Sequence, residues 1–312
     1  MKLYWIENKN IAVCVSDYGA RILNLRLKTK QLGSLEVVKG YANASDYLSD
    51  EHYRGAIIAP LTNRVPKGKV TLGNKDYFLP INEFDNSLHS GGVGVDKYRW
   101  EMTHSNLDSV SFALDFEMSS VRLEGRLCLN ATYRLLENGL RLDTDICPTS
   151  TNFINATNHV YLNLNGVGEN LEGHHFAFEQ AEQYLVDEHQ LPTGETIERQ
   201  QGEIYQQGVG FSDHSFKSTL DHHFHLSAPV GSTLRKLIGV YSSQAKLALE
   251  VMSNSRGFQC YIEKPKDSRD NAFCIEPQAF IGEPKRLAHA DSLFHAKQSF
   301  NQRIEWRFSE GT

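Results

Sequence analysis

With 312 residues, 40% hydrophobic and 22% charged, the chain has the balance of a folded globular protein and enough apolar surface for a sizeable core, which excludes disorder. The formal charge of −6 at pH 7 lacks the basic footprint that nucleic acid or an anionic membrane surface demands, so a neutral or cationic partner is expected. No apolar run reaches the length of a membrane span and the first ten residues hold no signal-type apolar region, so a cytoplasmic protein is expected.

In chain order, apolar residues alternate over 11–15 and again over 22–27, with the turn residues Asp17-Tyr18-Gly19 between them, which predicts a hairpin. Helical spacing is confined to a short piece at 44–48. Strands are predicted from the alternations Val110/Phe112/Leu114/Phe116, Leu127/Leu129/Ala131/Tyr133, Leu140/Leu142/Thr144/Ile146, Leu247/Leu249/Val251 and Ile304/Trp306/Phe308. A βαβ fold needs helices of ten or more residues between its strands, and none is predicted, so the expectation is an all-β, antiparallel sandwich forming a single domain over residues 1–312. The five cysteines, Cys14, Cys128, Cys147, Cys260 and Cys274, contain no C-x-x-C pair and read as buried free thiols. Sequons at Asn43, Asn130 and Asn155 are expected to be chance matches in a protein that is not secreted.

The stretch 155–166 carries the sharpest pattern. Read as a strand, it sends Val160, Leu162 and Leu164 into a core and His159, Tyr161 and Asn163 to the other face, which is either solvated or the wall of a polar pocket. Glu276 stands in the otherwise apolar run 271–278, where burial raises a carboxyl pKa into the range of a general base or acid. Pro277 puts that strand at an edge or an end, where sites are commonly built. Two loops add an Asn63-Arg64 pair and a His89 followed by Ser90-Gly91-Gly92, glycines that allow close approach to a ligand. On a strand, Asp221, His223 and His225 share a face; the favoured reading is an exposed, metal-free strand end, with Asp221 as an acceptor for hydroxyls. The charged connector 263–271 carries Lys264, Lys266 and Arg269, interleaved with Asp267 and Asp270. No nucleophile elbow, P-loop or zinc-helix motif is present.

Taken in order, Asp17-Tyr18-Gly19-Ala20, Gly40-Tyr41, Tyr47-Leu48, Asn63-Arg64-Val65, Leu88-His89 with its glycines, Asn158-His159-Val160-Tyr161-Leu162-Asn163-Leu164, Leu220-Asp221-His222, Gly257-Phe258-Gln259-Cys260-Tyr261 and Glu276-Pro277-Gln278 resemble the aldose 1-epimerase (galactose mutarotase) family over nearly the whole chain. The resemblance implies a large antiparallel β-supersandwich with an open sugar cleft, no metal and no cofactor. It implies Glu276 as catalytic base and His159 as catalytic acid, with Arg64, His89 and Asp221 holding the sugar. Asn63, Tyr161 and Gln278 join the expected binding set from their places in the same motifs. The sequence departs from the family's pattern at Ser90, inserted after His89, at Leu162 in place of a common Phe, and at Pro277 in place of a common Thr. The expected partner is a small free sugar, without nucleic acid or membrane, and the protein is a monomer or homodimer. Alternatives are a hexose-6-phosphate epimerase drawing on Lys264, Lys266 and Arg269, a non-catalytic sugar-binding module, and a glycosidase using Asp221 with Glu276. The mechanism requires His159 and Glu276 to face one cleft about one sugar's width apart.

Overall fold

The computed structural model describes residues 1–206, 209–216, 220–226, 233–263, 270–279 and 292–311. Its regular structure is almost all strand, and every named strand pair is antiparallel. The expected hairpin forms from Ile11–Ser16 and Ile22–Thr29, flanked by Leu3–Glu7 and Gly33–Glu36 in a four-stranded sheet. The short helical piece is a 3₁₀ turn, Ala44–Ser49.

Among the described residues the largest sheet has nine strands, and at its centre run Ser109–Glu117, Arg126–Leu136, Gly139–Pro148, Phe300–Glu310 and Leu247–Ser253. Alternation explains these strands: Leu127, Leu129, Ala131 and Tyr133 are buried while Arg126, Cys128, Asn130 and Arg134 are not. Full burial of a side chain such as Phe112 or Phe116 contributes about 1.5–3 kcal/mol. A five-stranded sheet runs in the order Pro192–Arg199, Ala181–Val186, Asp221–His225, Gly257–Ile262, Phe273–Gln278, placing Phe273–Gln278 at its edge as Pro277 predicts. One contiguous apolar core takes in residues from Ile6 to Phe308.

The stretch 155–166 departs from expectation. Only Thr157–Asn158 pairs as a strand, with Ile57–Ile58. The rest stays extended, but its backbone partners come from separate places: His159 pairs with Gly55 and Ala56, Tyr161 with Lys39, Leu162 with Phe273, and Asn163 with Val37. No single neighbour runs alongside it, so no regular ladder forms. The two faces behave as predicted in part. Val160, Leu162 and Leu164 are buried in the core, yet His159, Tyr161 and Asn163 are buried too rather than solvated.

Side-chain bonds tie this stretch to the sheets. Tyr133 Oη donates to Ala20 O at 2.6 Å and accepts from Asn158 Nδ2 at 3.2 Å, while Asn158 Nδ2 also reaches Gly55 O at 2.9 Å. Gln302 Nε2 bonds both Ala156 O and Pro277 O, at 2.9 and 2.8 Å, joining the stretches that carry His159 and Glu276. The cysteine expectation needs correcting: all five are free, but Cys128 is exposed and Cys147 half-buried, because they face each other across the outer side of Arg126–Leu136 and Gly139–Pro148. Among the described residues, no helix is long and apolar enough to cross a membrane.

Candidate active site

Seven stretches of the chain, around Tyr53, Arg64, His89, His159, Asp221, Gln259 and Glu276, converge on one cleft of about 270 Å³, a size suited to one small ligand. Arg64–Val65 pairs with Ser87–Leu88, which brings Arg64 and His89 side by side. The backbone around His89 is tight, with His89, Ser90, Gly91 and Gly92 all at positive φ. The additional Ser90 is absorbed there because its Oγ both accepts from Leu61 N and donates to Leu61 O, each at 3.0 Å. A Cβ on Gly91 would stand 2.4 Å from Pro80 O, so this turn requires glycine.

Asn63 N donates to His89 Nδ1 at 3.2 Å. That bond leaves the ring proton on Nε2. Asn63 Nδ2 donates to Gln259 Oε1 at 3.0 Å, and Gln259 Nε2 donates to Asp221 Oδ1 at 2.6 Å. Arg64 completes the array, gripping Glu83 at 2.5 Å through Nε and 3.0 Å through Nη2 while its Nη1 lies 3.7 Å from Asp221 Oδ2. The fork geometry of such a bidentate pair fixes the guanidinium plane.

At the floor of the cleft, His159 Nε2 lies 3.6 Å from Glu276 Oε1. Both side chains are almost fully buried, yet both line the cleft. The expectation of one sugar's width between them is therefore corrected: they stand side by side. His159 stacks on Tyr161 at 5.1 Å between ring centroids, and Tyr53 fills the corner between His89, at 4.7 Å, and His159, at 6.2 Å. The turn that carries Tyr53 is anchored by Asp50, which accepts from Arg21 at 2.5 Å and from Arg54 N at 2.9 Å. Gly55 is obligatory in it, since a Cβ there would meet Ile22 O at 1.9 Å.

The electrostatics of the pair follow from burial. Desolvation, with the nearby Asp221 charge, pushes the Glu276 carboxyl well above the usual carboxylate range, against the opposing pull of Arg64. Desolvation lowers His159 to about 4. The same cause, with His159 and Arg64 beside it, holds His89 well below an ordinary histidine. Burial thus pushes the carboxyl toward its neutral form and the imidazole toward its neutral form, the arrangement of the pair with one proton and no charge.

Of the residues singled out in the sequence, Glu276, His159, Arg64, His89, Asp221, Asn63 and Tyr161 line this cleft, and Gln278 does not; it is buried farther along its strand, opposite Gly257. Tyr53, Glu83 and Gln259 were not expected as site residues. Gln259 alone carried a signal, a polar residue in an apolar strand, directly opposite Glu276. One ligand atom each from His89, His159 and Glu276 lie within 4.8 Å of one another, so these three side chains have the donor set of a two-histidine, one-carboxylate metal site. Asp221, His223 and His225 do not form such a group among the described residues. Lys264, Lys266 and Arg269 lie outside the described residues. A larger hollow of about 460 Å³ beside Lys28, Lys30, Asn138 and Phe308 has no histidine, and its carboxylate, Glu310, already accepts from Lys30 N.

The family model described as Aldose 1-epimerase matches residues 2–305. The chain is 27% identical to the galactose mutarotase of Mus musculus over 98% of this chain and 93% of that one. It is 28% identical to the aldose 1-epimerase of Escherichia coli K12 over 82% of this chain and 76% of that one. Its fold is shared with the crystal structure of an aldose epimerase homologue from C. elegans, with TM-score 0.87, 20% identity and coverage of 100% and 99% of the two chains.

Proposed function

This chain belongs to the aldose 1-epimerase family, and we propose that it interconverts the α and β anomers of a free aldohexose with Glu276 as base and His159 as acid. In the step that opens the ring, Glu276 takes the proton from the C1 hydroxyl, the freed electron pair forms the C1=O bond, the C1–ring oxygen bond breaks, and His159 delivers its proton to the ring oxygen. Both oxygens are bonded to C1, so an acid and a base standing side by side can serve them together. Rotation about C1–C2 turns the other carbonyl face toward the C5 hydroxyl, and the reverse transfers close the ring as the other anomer.

The single proton of the pair suits this sequence. The ring-closed complex starts with Glu276 ionised and His159 protonated, and the open-chain aldehyde leaves both neutral, which is the arrangement that burial stabilises. Positioned proton transfer of this kind contributes about 10²–10⁴-fold. Arg64, His89, Asp221 and Asn63 hold hydroxyls, and Tyr161 braces the His159 ring. The observation that carries this reading is the buried His159–Glu276 contact at the floor of a polar cleft.

A phosphorylated sugar is less well served, because Arg64, the lysine or arginine among the described lining residues, is already occupied by Glu83 and Asp221. We read residues 1–312 as one domain, which the contiguous core supports. Five free thiols suit a cytoplasmic, reducing compartment. We read the protein as a monomer or homodimer whose described cleft residues belong to this chain. Polarimetry of freshly dissolved α-D-glucose and α-D-galactose tests the function: the protein is expected to speed the approach to equilibrium rotation in proportion to its concentration. A rate equal to that of buffer alone refutes the activity.

A further inference from the structure

The cleft is charged in a way that a neutral sugar does not need. Its described lining includes four carboxylates, Glu51, Glu83, Asp221 and Glu276, against one guanidinium, Arg64. Arg64 offers little positive charge to a ligand, since Nε and Nη2 are spent on Glu83 and Nη1 faces Asp221. His89 is held neutral by burial, and the His159–Glu276 pair has no net charge with its proton on either partner. The site is therefore anionic even when Glu276 carries the shared proton.

The placement of Asp221 says which part of a substrate meets this charge. Across the five-stranded sheet the order is Asp221–His225, then Gly257–Ile262, then Phe273–Gln278, and the His159 stretch lies beyond Phe273–Gln278, bridged to it through Leu162 and Phe273. Glu276 thus stands between His159 on one side and Asp221 on the other, with Gln259, opposite Glu276 in register, reaching Asp221. On the mechanism above, His159 serves the ring oxygen and Glu276 serves C1, so the next ring position, C2, falls toward Asp221. About a quarter of the Asp221 side chain remains exposed; Gln259 donates to its Oδ1, Arg64 stands 3.7 Å from its Oδ2, and the carboxylate keeps further lone pairs for a ligand.

We infer that the site accepts 2-amino-2-deoxyhexoses in their protonated form and turns them over more efficiently than the parent hexoses. This rests on the epimerase reading and on the orientation it imposes. An ammonium at C2 makes a charge-assisted bond to Asp221 where a hydroxyl makes a neutral one, and such bonds are roughly twice as strong. The expected gain in kcat/KM is about fivefold, a modest factor because the carboxylate is partly solvated.

The test is blank-corrected polarimetry of D-glucosamine, N-acetyl-D-glucosamine and D-glucose side by side. At about pH 6.5 the amine is protonated, since amines of this class titrate near the α-amino value of about 7.7–8.0. There, at about 0.01 M ionic strength, glucosamine is expected to exceed glucose about fivefold in kcat/KM. The ratio is expected to fall toward one at about 1 M ionic strength, where the Debye length shrinks from about 30 to about 3 Å. It is expected to fall in the same way at about pH 9.5, and for the uncharged N-acetyl sugar. In Asp221→Asn the ratio of the two substrates is the readout, since both lose efficiency and glucosamine loses more; Glu51→Gln lowers the same ratio by a smaller factor. Turnover of glucose with a glucosamine ratio of one or less at low salt overturns the inference and leaves the epimerase reading standing. Failure of both sugars to respond to the protein overturns that reading and takes this one with it.

Discussion

Glu276 and His159 show how much burial does at a single residue. In water a carboxyl loses its proton well before an imidazole does; placed 3.6 Å apart in a nearly dry floor, the carboxyl is pushed up and the imidazole down, toward a pair that holds one proton and no charge. Two protonation changes silence such a pair: gain of a second proton at low pH, or loss of the shared one at high pH. The acid limb of kcat/KM is governed by His159, lowered to about 4, and the alkaline limb by loss of the proton that Glu276, raised above its usual range, helps to hold. A bell-shaped profile is expected whose activity persists well below pH 6.5, the ordinary histidine value. A fall beginning at about pH 6.5 contradicts this, since it reports a solvated, independent histidine. The residue types at the site were legible from the sequence, because a Glu inside an apolar run and a His on the polar side of an alternating stretch are conspicuous. Glu83 and Tyr53 were not, since each acts through a neighbour that only folding supplies: Arg64 for Glu83, and the two imidazoles for Tyr53.

At the scale of elements, the alternating strands were legible because each has long, regular partners, as Arg126–Leu136 has in Ser109–Glu117 and Gly139–Pro148. The His159 stretch was misread as a strand for the opposite reason: its hydrogen bonds go to three distant segments, and period two in side chains does not require a ladder. Buried histidines within these elements set the acid stability. His174, whose Nε2 accepts from Leu164 N at 3.1 Å, and His222 at the start of Asp221–His225 are both lowered by burial to about 4, like His159. Their folded pKa lies below the unfolded 6.5, so the unfolded chain takes up protons first as pH falls. Stability is full above about pH 6.5 and is lost toward pH 4, with a slope of about 1.4 kcal/mol per pH unit for each histidine. Glu276 has the opposite sign: its raised folded pKa gives a contribution present below about 4.5 and lost as pH rises through the folded value. Urea unfolding midpoints are expected to drop clearly between pH 7 and pH 5. A midpoint unchanged over that window contradicts burial of these imidazoles in their neutral form.

At the scale of the whole molecule, the sheets act as a frame that brings together positions 63, 89, 159, 221 and 276, and local pattern has no means of stating that convergence. The collinear motifs did state it, because a shared order of short segments carries the information of a shared fold. Gln302 illustrates the physical side, one amide from the nine-stranded sheet holding the carbonyls of Ala156 and Pro277 and so the acid-bearing and base-bearing stretches in one place. The central claim is that this frame aims one buried acid–base pair at a sugar. It is tested most directly by Glu276→Gln, which preserves shape while removing proton acceptance, with mutarotation followed by polarimetry and galactose binding by calorimetry on the same preparation. The account predicts that kcat falls by about 10²-fold or more while galactose still binds within a few-fold of the wild-type affinity. Retention of more than about a tenth of wild-type kcat in a variant that binds galactose normally contradicts it.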